Sequence, residues 1–280
     1  MVAITLDELL RPYEFEFFRN GLIVATIAGA LCGLIGCYVV LRSMSYIGHG
    51  LSHSIFGGFA FASLVGVNVF LGAGLWGLAT ALLIGSITRR RPVGSDAAIG
   101  VVTTASFALG LAMVQLWGRA DTDADAALFG SVLGVSTGDV LVILAVTAAT
   151  IGTIIVAYRR LLFVTFDPEV AEVSGVKVSV TDGVLMALLA VAILATMNVL
   201  GVTLIAAALV VPAVVARLVT SSFSTMLVIA TVVGGVTGLV GMNLSYHLDI
   251  ASGPTIVLVG AILFVLAFVA SGVRGRAGLK

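Results

Sequence analysis

Residues 21–41 read GLIVATIAGALCGLIGCYVVL, from Gly21 to Leu41, with no charged side chain among them. A bilayer core of about 30 Å asks for about 20 apolar residues per helix, so this stretch is long enough to cross. By the same measure about nine candidate segments run near 21–41, 46–66, 69–88, 98–117, 139–157, 182–197, 199–219, 224–244 and 254–271. The run from 182 to 219 has no strong break except around Asn198 and Gly201. It is either two short spans or one broken helix. The expected fold is therefore all-α, a polytopic transmembrane bundle of about 8–9 spans.

Bulk composition agrees. Of 280 residues 60% are hydrophobic and 10% charged, with a mean hydropathy of +1.21. Soluble domains carry about 25% charged residues, because a surface in water needs them. The outside of this chain must meet lipid. Its formal net charge is zero, which argues against nucleic acid and acidic polymers as partners. Cys32 and Cys37 stand five apart inside the first apolar run. That spacing turns them to different faces, so they read as buried small hydrophobes rather than as a disulfide.

Three regions follow. Residues 1–20 mix Asp7, Glu8, Glu14 and Glu16 with Phe15, Phe17 and Phe18. They lack the basic start of a signal peptide and read as an amphipathic segment at the membrane surface. A membrane domain spans 21–271, and a cytoplasmic tail spans 272–280. The basic residues Arg89, Arg90, Arg91, Arg159, Arg160, Arg217, Arg274, Arg276 and Lys280 fall on one side if the segments alternate. Basic residues mark the cytoplasm. The loop at 118–138, with Asp121, Asp123 and Asp125, then lies outside. Nine spans put the N-terminus outside and eight bring it inside.

Ionisable residues within a membrane are costly, so each is a candidate for function. The chain has three histidines. His49 and His53 stand four apart in SYIGHGLSHS, Ser45 to Ser54, and residues four apart share a helix face. Two imidazoles so placed can grip one metal ion. They can equally be hydrogen-bonded to backbone and serine hydroxyls between packed helices. His247 and Asp249, in Ser245-Tyr246-His247-Leu248-Asp249, are either further metal ligands or ordinary interfacial residues, with Tyr246 anchoring at the headgroups.

The segment TFDPEVAEVSGVK, Thr165 to Lys177, carries an N-cap aspartate, a proline at the first helical position and a glycine stop. It predicts a short amphipathic helix near 166–176 between two spans. Such a helix either closes a loop or offers a handle to a soluble motor. Its apolar Val170 and Val173 lie three apart on one face, with Glu169 and Glu172 beside them and Asp167 and Gly175 at the ends. Pro212 lies inside an apolar span before Arg217, where it bends the helix.

Four of these stretches, in this order, resemble the membrane subunits of metal-type ABC importers, the zinc, manganese and iron uptake family. Its pattern of arginine, Met-Ser, Ile-Gly, an acidic residue, Leu-Ser-His and glycine is echoed from Arg42 to Gly58. Phe166-Asp167-Pro168-Glu169, followed by Gly175-Val176, is similar to its coupling segment. Residues 201–217 and Ser245–Leu258 are similar to its later spans. The resemblance covers about residues 13 to 270. It implies a permease that forms a homodimer in the bacterial inner membrane, without chemistry of its own. Two cytoplasmic ATP-binding subunits would dock on the coupling helices, and an extracytoplasmic metal-binding protein would deliver the cargo. No cofactor is implied beyond the transported ion.

The family usually has a carboxylate where His49 stands and often a proline where Ala251 stands. Imidazole suits zinc better than manganese, which tilts the expected cargo toward zinc. The chain has no phosphate-binding Gly-x-x-x-x-Gly-Lys-Ser/Thr loop, so ATP would be hydrolysed on another chain. The alternatives are a permease for chelated metal, such as a siderophore or cobalamin, an ion channel, and an intramembrane metalloprotease. The protease needs a carboxylate beside the histidines, and the residue after His49 is Gly50. A channel has no use for the capped cytoplasmic helix.

Overall fold

The computed structural model describes residues 10–90, 95–117, 130, 135–201 and 203–277, and among these every regular element is helical. A 3-10 turn, Arg11–Glu14, leads into α1 (Glu16–Leu41), α2 (Ser45–Val65), α3 (Val69–Arg90) and α4 (Ser95–Trp117). After them come α5 (Thr137–Phe166), the short α6 (Pro168–Val173), α7 (Val178–Leu200), α8 (Ile205–Val219), α9 (Phe223–Leu248) and α10 (Ser252–Ala277). Asp121, Asp123, Asp125 and Arg91 lie outside the described residues, as do residues 1–9 and 278–280.

Seven of the described helices, α1, α3, α4, α5, α7, α9 and α10, are long and apolar enough to cross a membrane. The two other apolar segments differ for separate reasons. α2 has 21 residues, but His49, His53, Ser45, Ser52 and Ser54 dilute its apolar content. α8 has 15 residues, about 22 Å of helix at 1.5 Å per residue, short of a full core.

α1 lies at the centre and packs against α5, α7, α8 and α9. It begins at Glu16, ahead of the apolar run, so Phe17 and Phe18 form its first turn. Phe18 is fully buried, edge to face with Tyr13 and Tyr246. At the other end of α1, Tyr38 meets Phe223, so α1 and α9 run antiparallel. Between these aromatic ends the two backbones touch. A Cβ at Gly29 would collide with the Gly234 carbonyl, and one at Gly33 with the Ala230 carbonyl. Nothing hydrophobic drives helices together in lipid, and glycine gives the close approach that dispersion needs.

A tight corner joins α1 to α2. The Arg42 amide bonds to the Tyr38 carbonyl and the Met44 amide to the Val39 carbonyl, with Ser43 left-handed at φ 55. α2 then packs between α3 and α4. The run from 182 to 219 resolves into two helices rather than one bent helix. Leu200 ends α7, and Gly201 at φ 74 supplies the turn that an L side chain resists. The Ser252 hydroxyl bonds to the Val199 carbonyl and secures this turn against α10. α8 then continues through Pro212, which is buried. The bundle thus has two ends, one marked by Phe18 and Tyr246, the other by Arg42 and Phe223.

Candidate functional site

α2 holds His49 and His53 one turn apart, both half-buried. Their Nε2 atoms approach to 3.1 Å, with the rings perpendicular and their centroids 4.4 Å apart. Tyr46 flanks His49 and Phe107 of α4 flanks His53. Nδ1 of His53 is buried without a hydrogen-bond partner among the described residues. Behind the pair, Ser54 lies within hydrogen-bond distance of Thr80 (2.7 Å) and Ser106 (2.9 Å). Trp76 donates its indole N–H to Ser106 at 2.7 Å. These groups tie α2 to α3 and α4, fixing the face that carries the imidazoles.

The geometry suits one ion. Two nitrogens bound to a tetrahedral metal at 2.0–2.1 Å stand about 3.3 Å apart, close to the spacing already present. As neutral imidazoles the pair shares one hydrogen bond; to ligate one ion, both rings would have to turn their Nε2 lone pairs toward it. Among the described residues no group of three or more His, Cys, Asp or Glu side chains is placed to hold a metal. An ion held by this pair would need its remaining ligands from other groups.

His247 and Asp249 are not brought to this pair. They lie exposed at the C-terminal end of α9, the end where Tyr246 meets Phe18 of the first turn of α1. His49 and His53 follow the corner at the opposite end of α1. Asp249 closes α9 in a left-handed conformation at φ 54, and the His247 ring sits edge to face with Tyr246 at 5.6 Å.

The expected short helix is present as α6, Pro168–Val173, narrower than the predicted 166–176. The Asp167 carboxylate accepts the Val170 amide at 2.9 Å and caps it, and Gly175 ends it at φ 84. Ala171 is fully buried and seats the helix on the bundle. The opposite side is bare: Val173 is 91% exposed, Val170 50% and Phe166 59%. Glu169 and Glu172 are exposed beside them.

Sequence reasoning passed over one pair. Arg42 Nη1 donates to Asp182 Oδ1 at 2.6 Å, and its Nε donates to Thr165 Oγ1 at 3.0 Å. The pair is mostly buried, with side chains 9% and 24% exposed. A signal was available. Arg42 is the single cation between Arg19 and Arg89, and Asp182 the single acid between Glu172 and Asp249. An isolated cation and an isolated acid in apolar stretches are candidates to pair.

Against known proteins, the ABC 3 transport family matches residues 14–271. The chain is 36% identical to "Manganese transport system membrane protein MntC" of Halalkalibacterium halodurans, over 96% of this chain and 91% of the relative. It is 32% identical to "Chelated iron transport system membrane protein YfeD" of Yersinia pestis, over 94% of this chain and 88% of that one. The solved structure "PsaBC from Streptococcus pneumoniae in complex with Fab" superimposes with a TM-score of 0.85 at 31% identity, covering 94% of this chain and 95% of that chain.

Proposed function

The chain belongs to the ABC 3 transport family, and from that premise we propose that it moves a bare divalent transition-metal ion past His49 and His53 into the cell. Membership makes it a multi-pass permease subunit of a metal-type ABC transporter in the bacterial plasma membrane, a transporter and not an enzyme. The observation that carries the rest is the meeting of two imidazole nitrogens at 3.1 Å inside the bundle.

In this reading the chain crosses nine times. α7 and the short α8 form a hairpin secured at Gly201, and Arg159, Arg160 and Arg217 stand on the cytoplasmic side at the Arg42 end. The N-terminus is then outside and the C-terminus inside. His247 and Asp249, at the outer end, form an earlier station on the path rather than ligands of the same site. An extracytoplasmic binding protein brings the ion there. Two copies of the chain pair as a homodimer, and each presents Val170, Val173, Glu169 and Glu172 of α6 to a cytoplasmic ATP-binding subunit. Imidazole at 49 tilts the preference from manganese toward zinc, while the relatives above are named for manganese and chelated iron. A chelated cargo is the second reading, favoured by the name of the Yersinia relative. It leaves the histidine pair without a task.

The test is uptake into vesicles holding the permease, its ATP-binding subunit and its binding protein, with manganese, zinc and ferrous ions each competed against the others. Accumulation only with ATP on the cytoplasmic side, and without a chelator, is expected. Flux independent of ATP would make the protein a channel, and flux only of chelated metal would favour the second reading.

A further inference from the structure

Arg42 touches both ends of the excursion that carries α6. Through Nε it reaches Thr165 at 3.0 Å, two residues before the Asp167 cap. Through Nη1 it reaches Asp182 at 2.6 Å, in the first turns of α7, where the chain returns to the bundle. Thr165 is itself held, donating to the Leu161 carbonyl at 2.6 Å. On the other side, Arg42 is the first residue of the corner that starts α2. The bond from the Met44 amide to the Val39 carbonyl, 2.9 Å long, closes that corner, and His49 follows five residues after Met44. The planar guanidinium is a rigid fork, and at this burial its ion pair is little screened by solvent or salt. A shift of α6 that moves the end of α5 against the start of α7 must therefore move the fork or break it. A displaced fork would pull through the Arg42 stem on the corner where α2 begins.

We propose that Arg42, held between Thr165 and Asp182, is the positioning residue that transmits movement of α6 to the His49/His53 helix. The proposal rests on the reading of α6 as the place where the ATP-binding subunit docks. A purely structural staple would hold the three helices together and leave the number of ions moved per ATP unchanged.

The complete complex in vesicles distinguishes the two, with ATP hydrolysis and uptake of manganese and zinc measured together. In Arg42→Ala and Asp182→Asn the ATP-binding subunit is expected to co-purify as with wild type and to hydrolyse ATP. The ions moved per ATP should fall about tenfold. The exchanged pair, Arg42→Asp with Asp182→Arg, should recover part of that ratio. Arg42→Lys, which keeps the charge and loses the fork, covers the case in which the first two variants fail to assemble, and it too should lower the ratio. An unchanged ratio in the variants that assemble overturns the proposal. Val173→Asp is the control for the reading beneath it. If that variant keeps its ATP-binding subunit and transports normally, the docking reading itself falls. If it loses the subunit while the Arg42 variants keep their ratio, only the Arg42 proposal falls.

Discussion

At the scale of residues, the proposed path makes imidazole at position 49 the choice that bears most on which ion would pass. Two half-buried nitrogens make a site of borderline softness, whereas a carboxylate would offer the oxygen that manganese prefers. His49→Asp should preserve transport and move the zinc-to-manganese preference toward manganese by about tenfold, the effect of about 1.4 kcal/mol in differential binding. Competition uptake checks this, and a ratio equal to wild type would remove His49 from the path. The i, i+4 spacing of the pair was legible in the sequence because a helix repeats every 3.6 residues. Its support was not. Ser54, Thr80, Ser106 and Trp76 come from three helices, and no local pattern says which hydroxyl will face which. The separation of His247 and Asp249 from the pair was hidden for the same reason, since it depends on α1 and α9 running antiparallel.

Among the elements, α6 was the most legible, because its cap, its proline and its glycine stop are all local. Its cap at Asp167 was read as it stands, while the stated extent of 166–176 was wide, since Phe166 belongs to α5 and the helix ends at Val173. The structure adds which residues are bare. Val173 is 91% exposed in this chain, so an aspartate there costs the isolated permease almost nothing. In a docked interface the same aspartate would bury an unpaired charge, a loss of about 3–5 kcal/mol. That lowers affinity by about two to four orders of magnitude. Val173→Asp should therefore insert and fold normally, lose the ATP-binding subunit on purification from detergent, and stop transporting. Full retention with normal uptake would reduce α6 to a loop closure. The hardest elements to read were α7 and α8. The sequence marked a break around Asn198 and Gly201 but could not tell two spans from one broken helix, because the turn rests on a single backbone conformation at Gly201 and on the Ser252 hydroxyl far along the chain.

For the whole molecule, the class was fixed by hydropathy, since an apolar exterior has only one solvent in which to be stable. The arrangement of helices was not legible, because packing in lipid turns on glycine-to-backbone contacts such as Gly29 with Gly234, and 33 glycines offer many such pairings. The proposed nine crossings carry a checkable consequence. Leu10 is 56% exposed, while both native cysteines are buried and should stay silent. In intact cells Leu10→Cys should react with a membrane-impermeant maleimide from outside. Val173→Cys, in the permease expressed alone, should react only after permeabilisation. Labelling of Leu10→Cys only after permeabilisation would mean an even number of crossings.

The claim on which everything else depends is that the metal passes the histidine pair. The direct measurement is ATP-driven metal uptake by the complete complex in vesicles carrying His53→Ala, beside wild type in the same preparation. Removing one of the two nitrogens leaves no chelating pair, while α6 and the Arg42 fork are untouched. The account predicts a variant that inserts, holds its ATP-binding subunit and hydrolyses ATP, yet takes up metal at background. Uptake at the wild-type rate from the same amount of complex would contradict it.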